Sequence, residues 1–339
     1  MKKCKKIVTV LILCSTILFA NDRLTNVGTT AAAFLEVGVG SRAIGMGGAY
    51  VAIADDANSL YWNPAGLGAM TKGEFVFEQV DWLAGISFNY FGVAVPMSNY
   101  GTIGLFINAM TMPAMKVRTV DYPDGTGEDF DASAFAAGLA YGKNLTDRFT
   151  IGFNVKYIQE TFWHEKSQSF AVDIGTKYET GIKGLSIGAA ITNYGPDMKL
   201  DGSDLIIYHD TDPQIDGNNE KIMGKLMTEK WPLPLNMQFG IGYDIYDTKY
   251  LRVTAALDAF HPINNTESVN MGCEVAVINM LFLRGGYKAL GQQDTEEGLT
   301  LGGGINYRLF GQSNIKLDYA YTDFGRLKNT NRFTLRLNF

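Results

Sequence analysis

Residues 149–157 read Phe-Thr-Ile-Gly-Phe-Asn-Val-Lys-Tyr, and this stretch decides the fold. Apolar and polar residues alternate along it, which is the period of a β-strand with one apolar and one polar face. The same alternation returns at 235–245, 313–324 and 331–339. In a β-sandwich the apolar face packs on a core, whereas in a transmembrane barrel it faces lipid and the polar face lines the lumen. The pattern therefore narrows the fold to these two architectures.

The number of alternating segments and their connections favour the barrel. About fourteen segments follow residue 72, an even number, as in bacterial outer-membrane barrels. They span 73–80, 84–96, 101–110, 132–143, 148–162, 168–179, 184–194, 233–245, 249–260, 267–276, 280–288, 297–310, 313–324 and 331–339. Tight turns and longer loops occupy opposite ends, with the long insertions 111–131 and 195–232 at the outer end, as expected for a barrel with both termini in the periplasm. A phase change in the second segment predicts a β-bulge between Tyr90 and Gly92.

The first twenty residues predict export. Four lysines precede an apolar run at 7–19, and the small residue Ala20 ends it, which is the pattern of a secretory signal peptide cleaved after Ala20. No later stretch contains eighteen consecutive apolar residues, so no transmembrane helix is predicted after cleavage. Removing the four lysines leaves 25 basic residues against 35 acidic ones, a formal charge of −10. This acidic balance argues against a nucleic-acid partner.

Residues 21–72 precede the first strand and are rich in small residues, so we expect a periplasmic N-terminus and a plug in the lumen, with residues 73–339 forming the barrel. A barrel of this width is too wide to be filled by its own side chains. Buried charges need partners, and the plug offers Arg42, Asp55 and Asp56. A water-filled lumen with solvated charges is the open alternative. The alternation predicts these lumen-facing charges: Lys156, Arg252, Asp258, Glu274, Arg284, Arg308, Asp318 and Arg336.

The plug carries a recognisable series of motifs: Gly40-Ser41-Arg42-Ala43, Gly45-Met46-Gly47-Gly48, Asp55-Asp56-Ala57 and Trp62-Asn63-Pro64-Ala65-Gly66-Leu67. Together they resemble the opening of PorV/PorQ-type outer-membrane proteins, relatives of the FadL long-chain fatty-acid transporters. In that larger group, the Asn-Pro-Ala motif belongs to a plug, the hatch, inside a barrel of fourteen strands. The resemblance implies that the plug residues include Arg42, Gly45, Gly47, Gly48, Asp55, Asp56, Asn63, Pro64 and Ala65.

The resemblance implies one of two functions in the outer membrane. PorV-type members bind the C-terminal signal domains of cargo proteins in type IX secretion and pass them to surface-attachment machinery. FadL-type members admit hydrophobic small molecules through a plug that shifts and a side opening in the wall. The spacing of Gly-Met-Gly-Gly and Asp-Asp-Ala favours the PorV-like shuttle, whose partners are secreted cargo and secretion-system components. The alternative is a transporter of long-chain fatty acids or other hydrophobic ligands.

Other features predict assembly partners and argue against catalysis. A barrel in the outer membrane contacts lipid and lipopolysaccharide, and the terminal aromatic residue Phe339 resembles the signal read by barrel assembly machinery. The histidines His164, His209 and His261 are isolated, and Cys273 is the only cysteine outside the signal peptide. No metal site, cofactor or enzyme activity is therefore predicted. The long loops are acidic but lack EF-hand spacing, so calcium binding there stays open.

Overall fold

The barrel is the main feature of the structure, a computed structural model that describes residues 26–211, 214, 221–292, 295–309 and 313–339. The predicted signal peptide lies outside the described residues. Within them, fourteen long strands each pair antiparallel with their neighbour in sequence, and the last pairs with the first. The strands are β1 Glu74–Asp81, β2 Ser87–Pro96, β3 Thr102–Thr111, β4 Ala132–Asn144, β5 Phe149–Phe162, β6 Glu165–Glu179, β7 Leu185–Tyr194, β8 Asn236–Asp247, β9 Leu251–Pro262, β10 Ser268–Val277, β11 Leu281–Leu290, β12 Leu299–Arg308, β13 Asn314–Asp323 and β14 Asn329–Asn338.

The predicted fold class is confirmed. Every predicted segment is a strand whose ends lie within three residues of the expected ones. In β5, Phe153 and Val155 are exposed on the outer face, whereas Asn154 and Lys156 are buried inside. The apolar face therefore points outwards, which is the inverse of a soluble protein and the arrangement of a membrane barrel.

The predicted bulge in β2 is wrong. The pairing of β2 with β1 and with β3 runs without a shift, with Tyr90 opposite Glu78 on one side and Asn108 on the other. The phase change arises because Phe88 and Tyr90 are apolar residues on the inner face, where they pack against the N-terminal part of the chain. Register shifts occur instead in the β6–β7, β8–β9 and β10–β11 pairs.

The two ends of the barrel differ. One end, which we call the turn end, carries only short connections and the C-terminus, whereas the opposite end carries both long and short connections, such as the turn at 163–164. The other, the loop end, carries the segments 112–131 and 195–235. Short ladders stiffen the loops: Met115–Lys116 with Asp129–Phe130, Met198–Lys199 with Lys230–Trp231, Ile206–His209 with Ile222–Lys225, and Asp201–Gly202 with β6.

The C-terminus and the first described residues lie at opposite ends of the barrel, whereas the sequence predicts both termini at one end; residues 1–25 lie outside the described part of the chain. The Phe339 amide donates to the carbonyl of Gly73 at the turn end, over 2.9 Å. The Ala31 amide instead donates to the carbonyl of Pro232 in a loop of the loop end, also over 2.9 Å. The chain therefore starts at the loop end and runs down inside the barrel before it enters β1.

The helices are short. Residues 27–72, which we call the inner segment, contain α1 Ser41–Gly45, α2 Ser59–Trp62 and the 3₁₀ turns Ala33–Glu36 and Pro64–Ala69. Further 3₁₀ turns join strands at Leu83–Gly85, Ser98–Tyr100 and Gly325–Leu327. Among the described residues, no helix has the length and apolarity needed to cross a membrane.

Candidate functional site

The inner segment lies inside the barrel, and from Val37 to Leu67 almost all of its side chains are buried. Local hydrogen bonds fix its path. The Asn63 side chain accepts from the Ala65 amide over 3.1 Å and so caps the 3₁₀ turn that Pro64 begins. The Asn63 amide also donates to the carbonyl of Val51 over 2.8 Å. The Asn-Pro-Ala motif thus ties two separate stretches of the inner segment together.

Glycines on the inner face of the wall let the inner segment approach the strand backbones. At Gly152 and Gly286, for example, an added Cβ would meet backbone atoms of Pro64 and of Met46 and Gly47. Ten strands contribute such positions, which we call the glycine belt: Gly92, Gly104, Gly142, Gly152, Gly175, Gly188, Gly240, Gly242, Gly272, Gly286 and Gly302. Because side chains are missing there, the wall and the inner segment meet without room for water between them. In the sequence, these glycines occupy positions of the strands that alternate with the apolar residues. The pattern was a signal for close contact with the inner segment, but that contact was not predicted.

A network of ion pairs joins the inner segment to the part of the wall that runs from β9 through β14 to β1. Arg42 lies at its centre, 3.0 Å from Asp56 and 3.2 Å from Glu274. The predicted plug residues and lumen-facing residues Arg42, Asp55, Asp56, Arg252, Glu274, Arg284, Asp318 and Arg336 all belong to it, together with Glu74 and Lys316. These are five basic and five acidic groups, so the network is neutral. Partnered charges, rather than solvated ones, occupy this part of the interior.

The network sets the protonation of its members in the inner segment. Burial by itself raises the pKa of Asp56, but Arg336 and Arg42 outweigh it and hold that pKa well below its ordinary value. Burial likewise lowers the pKa of Arg42, and the neighbouring Asp55 and Glu274 carboxylates raise it well above its ordinary value. Both groups are therefore charged at any physiological pH, and removing one partner leaves the other as an unpaired buried charge.

The remaining predicted lumen charges have different surroundings. Asp258 is fully buried and accepts from the amides of Tyr50 and Val51 over 2.7 and 2.9 Å. Lys156 pairs with Asp173 on the wall, at 2.8 Å, rather than with the inner segment. Arg308 is exposed at the turn end, away from the network.

A second set of hydrogen bonds between the wall and the inner segment was not predicted from the sequence. Glu78 accepts from the Gly40 amide over 2.5 Å, and Arg332 donates to the carbonyl of Gly38 and pairs with Glu78 at 3.3 Å. Glu74 accepts from the Ala57 amide over 3.0 Å. The alternation in β1 and β14 places these three charged residues on the inner face, and this pattern could have predicted their contacts with the inner segment.

Two cavities flank the inner segment. The larger, of about 580 Å³, opens at the loop end. Its floor is formed by Leu35, Glu36, Tyr61 and Trp62, and its wall by Lys156 of β5 and by the loop-end parts of β7–β11. The smaller, of about 180 Å³, lies at the turn end beside Arg42, Asp55 and Arg252. We call them the loop-end cavity and the turn-end cavity.

Residues 50–53 lie between the two cavities along β7–β9, and Met46 and Ala49 pack beside them against Ala256 of β9. On β8, Gln238 lines the loop-end cavity, Gly240 lies against Ala52, and Gly242 lines the turn-end cavity. On β9 the same order is Phe260, Asp258 and Thr254. On β7 it is Thr192, Gly188 and Ser186. The inner faces of three adjacent strands therefore run from one cavity to the other, with residues 46–53 of the inner segment packed against them in between.

The comparisons with known proteins identify the fold. The sequence matches no protein-family model, and it matches no curated protein sequence. Among solved structures it is similar to the Ralstonia pickettii toluene transporter TbuX, with 14% identity and a TM-score of 0.56 over 89% of this chain and 97% of that one. The Pseudomonas putida toluene transporter TodX is similar at 12% identity, with a TM-score of 0.55 over 89% and 97%. The chain therefore has the fold of outer-membrane transporter barrels.

Proposed function

We propose that this protein carries small molecules with apolar groups across the outer membrane, with the inner segment as the plug. The observation that carries the proposal is the pair of cavities along β7–β9, with residues 50–53 of the inner segment between them on β7 and β8. A molecule enters the loop-end cavity, residues 50–53 move, and the molecule passes to the turn-end cavity. The assignment of residues 21–72 as a plug, and of its motif residues to that role, is part of this proposal.

The proposal needs the 50–53 stretch to be the part that moves. Its ties to the wall are few: two amides donate to Asp258, and Ser186 donates to the carbonyl of Ala52 over 3.2 Å. The similar fold of toluene transporters supports passage of apolar solutes, although at these identities it supports no choice of substrate.

A reversible cross-link across the dividing stretch tests the proposal. Ile53 and Gly242 lie in contact, so the variant Ile53→Cys with Gly242→Cys can form a disulfide that fixes the stretch to β8. The exposed Cys273 is replaced by serine in this background. We expect oxidation to abolish uptake of labelled toluene or 4-nitrophenyl β-D-glucopyranoside by a Gram-negative host, and reduction to restore it.

The matched control for that experiment is Ile53→Cys alone, treated with the same oxidant, which we expect to leave uptake unchanged. If the cross-linked barrel transports both probes as fast as the reduced one, the proposed route is wrong.

The PorV-like shuttle is the second candidate, and one surface favours it. At the loop end, the ladder of Ile206–His209 with Ile222–Lys225 exposes large apolar side chains, among them Tyr208 and Met223, each 67% exposed. Such a patch suits contact with a protein such as secreted cargo or a secretion-system component. Deletion of the gene discriminates: loss of surface display with unchanged uptake of apolar solutes supports the shuttle and contradicts the transporter.

Assembly and location complete the proposal. We place the barrel in the outer membrane with its turn end in the periplasm, in contact with lipid and lipopolysaccharide, and with Phe339 as the signal for barrel assembly machinery. Deleting Phe339 should lower the amount of folded barrel in the outer membrane, measured by heat modifiability on gels. The control is Arg308→Ala, which keeps Phe339 in place.

A further inference from the structure

The chemistry of the loop-end cavity narrows the class of ligand. Fourteen of its twenty-two described lining residues are polar or charged. The rings of Tyr61, Trp62 and Phe260, which belong to one apolar cluster, supply an aromatic part of the lining. A pocket for a pure hydrocarbon needs only apolar walls, whereas a pocket with an aromatic side and a polar side suits a molecule that has both characters.

Two amides on β8 have hydrogen-bonding capacity that the protein does not use. Gln238 is only 5% exposed, and its Oε1 atom has no hydrogen-bond partner. The Oδ1 atom of Asn236, two residues away on the same inner face, has none either. Both residues line the cavity. Buried amide oxygens without partners are costly, so they mark positions where a ligand hydroxyl group can donate.

The charges of the cavity are already matched. Lys156 pairs with Asp173 at 2.8 Å, Lys288 pairs with Glu297 at 2.5 Å, and Glu296 pairs with Arg326. Glu36 is left, and its removal from bulk water raises its pKa, against the opposing effects of the Asn264 hydrogen bond and the Lys288 charge. Both lysines among the described lining residues thus already have a carboxylate partner, so the cavity favours an uncharged ligand over a fatty-acid carboxylate.

We propose that the loop-end cavity binds an uncharged amphipathic molecule that carries hydroxyl groups, such as an aromatic glycoside. Its apolar ring packs beside Tyr61, Trp62 and Phe260, and its hydroxyl groups donate to Gln238 and Asn236. The cavity volume of about 580 Å³ accommodates a molecule of this size. This inference rests on the proposed function in one respect, namely that the loop-end cavity is where the transported molecule first binds.

Binding of 4-nitrophenyl β-D-glucopyranoside to the purified full-length barrel tests the ligand class. The barrel is kept in an amine-oxide detergent, because glycoside detergents resemble the probe. Isothermal titration calorimetry compares the glucoside with toluene and with decanoate. We expect the glucoside to bind most tightly, and Gln238→Ala or Asn236→Ala to weaken it by about three- to tenfold each.

The control substitution is Asn306→Ala, which removes an amide at the turn end and should leave glucoside affinity unchanged. Heat modifiability on gels establishes that each variant is folded. The ligand class is wrong if toluene or decanoate binds more tightly than the glucoside, or if folded Gln238→Ala and Asn236→Ala bind the glucoside as the native protein does.

The outcomes separate this inference from the proposed function. If the glucoside binds but the 53–242 cross-link fails to block uptake, the ligand class stands and the route is wrong. If the cross-link blocks uptake of toluene while the glucoside does not bind, the route stands and the ligand class is wrong.

Discussion

The two sides of the inner segment are attached to the wall in different ways. Towards β10 and β14, Arg42 and Asp56 pair directly with Glu274 and Arg336 and so enter a neutral network of ten charged groups. Towards β7–β9, the same segment is held by the Asp258 carboxylate and one serine hydroxyl, with wall glycines alongside. Moving the network side separates buried charges, which costs several kcal/mol for each pair broken, roughly as in other buried pairs. The cavity side breaks only neutral or singly charged hydrogen bonds, so the difference predicts which side opens.

The largest expected effect comes from removing the centre of the network. Arg42→Ala leaves Asp56 and Glu274 with fewer partners, and we expect a loss of about 3–5 kcal/mol in the free energy of unfolding. The inner segment should also loosen, which raises conductance in planar bilayers. Arg308→Ala removes an exposed arginine and should change neither quantity. Unchanged conductance of Arg42→Ala would show that the network does not hold the inner segment in place.

The glycine belt is tested by two neighbours on β11. Gly286→Ala adds a methyl group against the backbone of Met46 and Gly47, so we expect about 1–3 kcal/mol of destabilisation from overpacking. Gly285→Ala points to the opposite face, where the nearest atom, on Leu301, is 3.9 Å away. Urea unfolding followed by tryptophan fluorescence compares the pair. Equal stabilities of the two variants would mean that the wall at Gly286 is not in close contact with the inner segment.

A smaller effect on stability, but a specific effect on passage, is expected at Asp258. Asp258→Ala leaves the Tyr50 and Val51 amides without an acceptor, at a cost of about 1–3 kcal/mol. Because these bonds tie down the dividing stretch, solute flux through reconstituted barrels should rise. Asp258→Asn keeps an oxygen acceptor and should lie between the native protein and Asp258→Ala. A barrel that loses stability without gaining flux would place the moving part elsewhere.

The smallest expected effect is the response of the network side to acid. The pKa of Asp56 is lowered in the folded protein, so its contribution to stability is present above the unfolded pKa of about 4. That contribution is lost only as the pH falls through the lowered folded value. The contribution of Asp56 to the free energy of unfolding should therefore stay constant from pH 7 to about pH 5. In Asp56→Asn, the free energy of unfolding should differ less between neutral and strongly acidic pH than it does in the native protein. A loss of the Asp56 contribution already at pH 6 would contradict the lowered pKa.

The barrel was predictable because its signal is local. Alternation along each strand assigns every residue to the inner or the outer face. It therefore places Glu274 of β10 and Arg336 of β14 on the inner face. It does not say which partner each charge finds, since Arg42 and Glu274 are 232 residues apart in the sequence. The same limit explains the errors. Phe88 and Tyr90 broke the expected phase because they pack on the inner segment, and the position of residues 26–36 at the loop end depends on contacts with distant loops.

The cavities were the least predictable feature. They are spaces left between β7–β11 and the inner segment, so they depend on how far residues 50–53 stand from the wall and on bulges such as that at Asn193, whose φ is 65°. Inward amides such as Gln238 resemble any polar lumen residue in the sequence. Their lack of partners becomes visible only when the surrounding side chains are in place.

The contact between β1 and β14, where the barrel closes, has a consequence for how the chain withstands mechanical force. The first and last strands meet there, and the inner segment is bonded to both: the Gly40 amide donates to Glu78 on β1, and the Ser41 amide donates to Thr334 on β14 over 2.8 Å. The joint is therefore fastened from within as well as along its backbone ladder. Pulling on the C-terminal strand must first strip these inner bonds, so the mechanical strength of the joint is set by residues next to α1 rather than by the two strands alone.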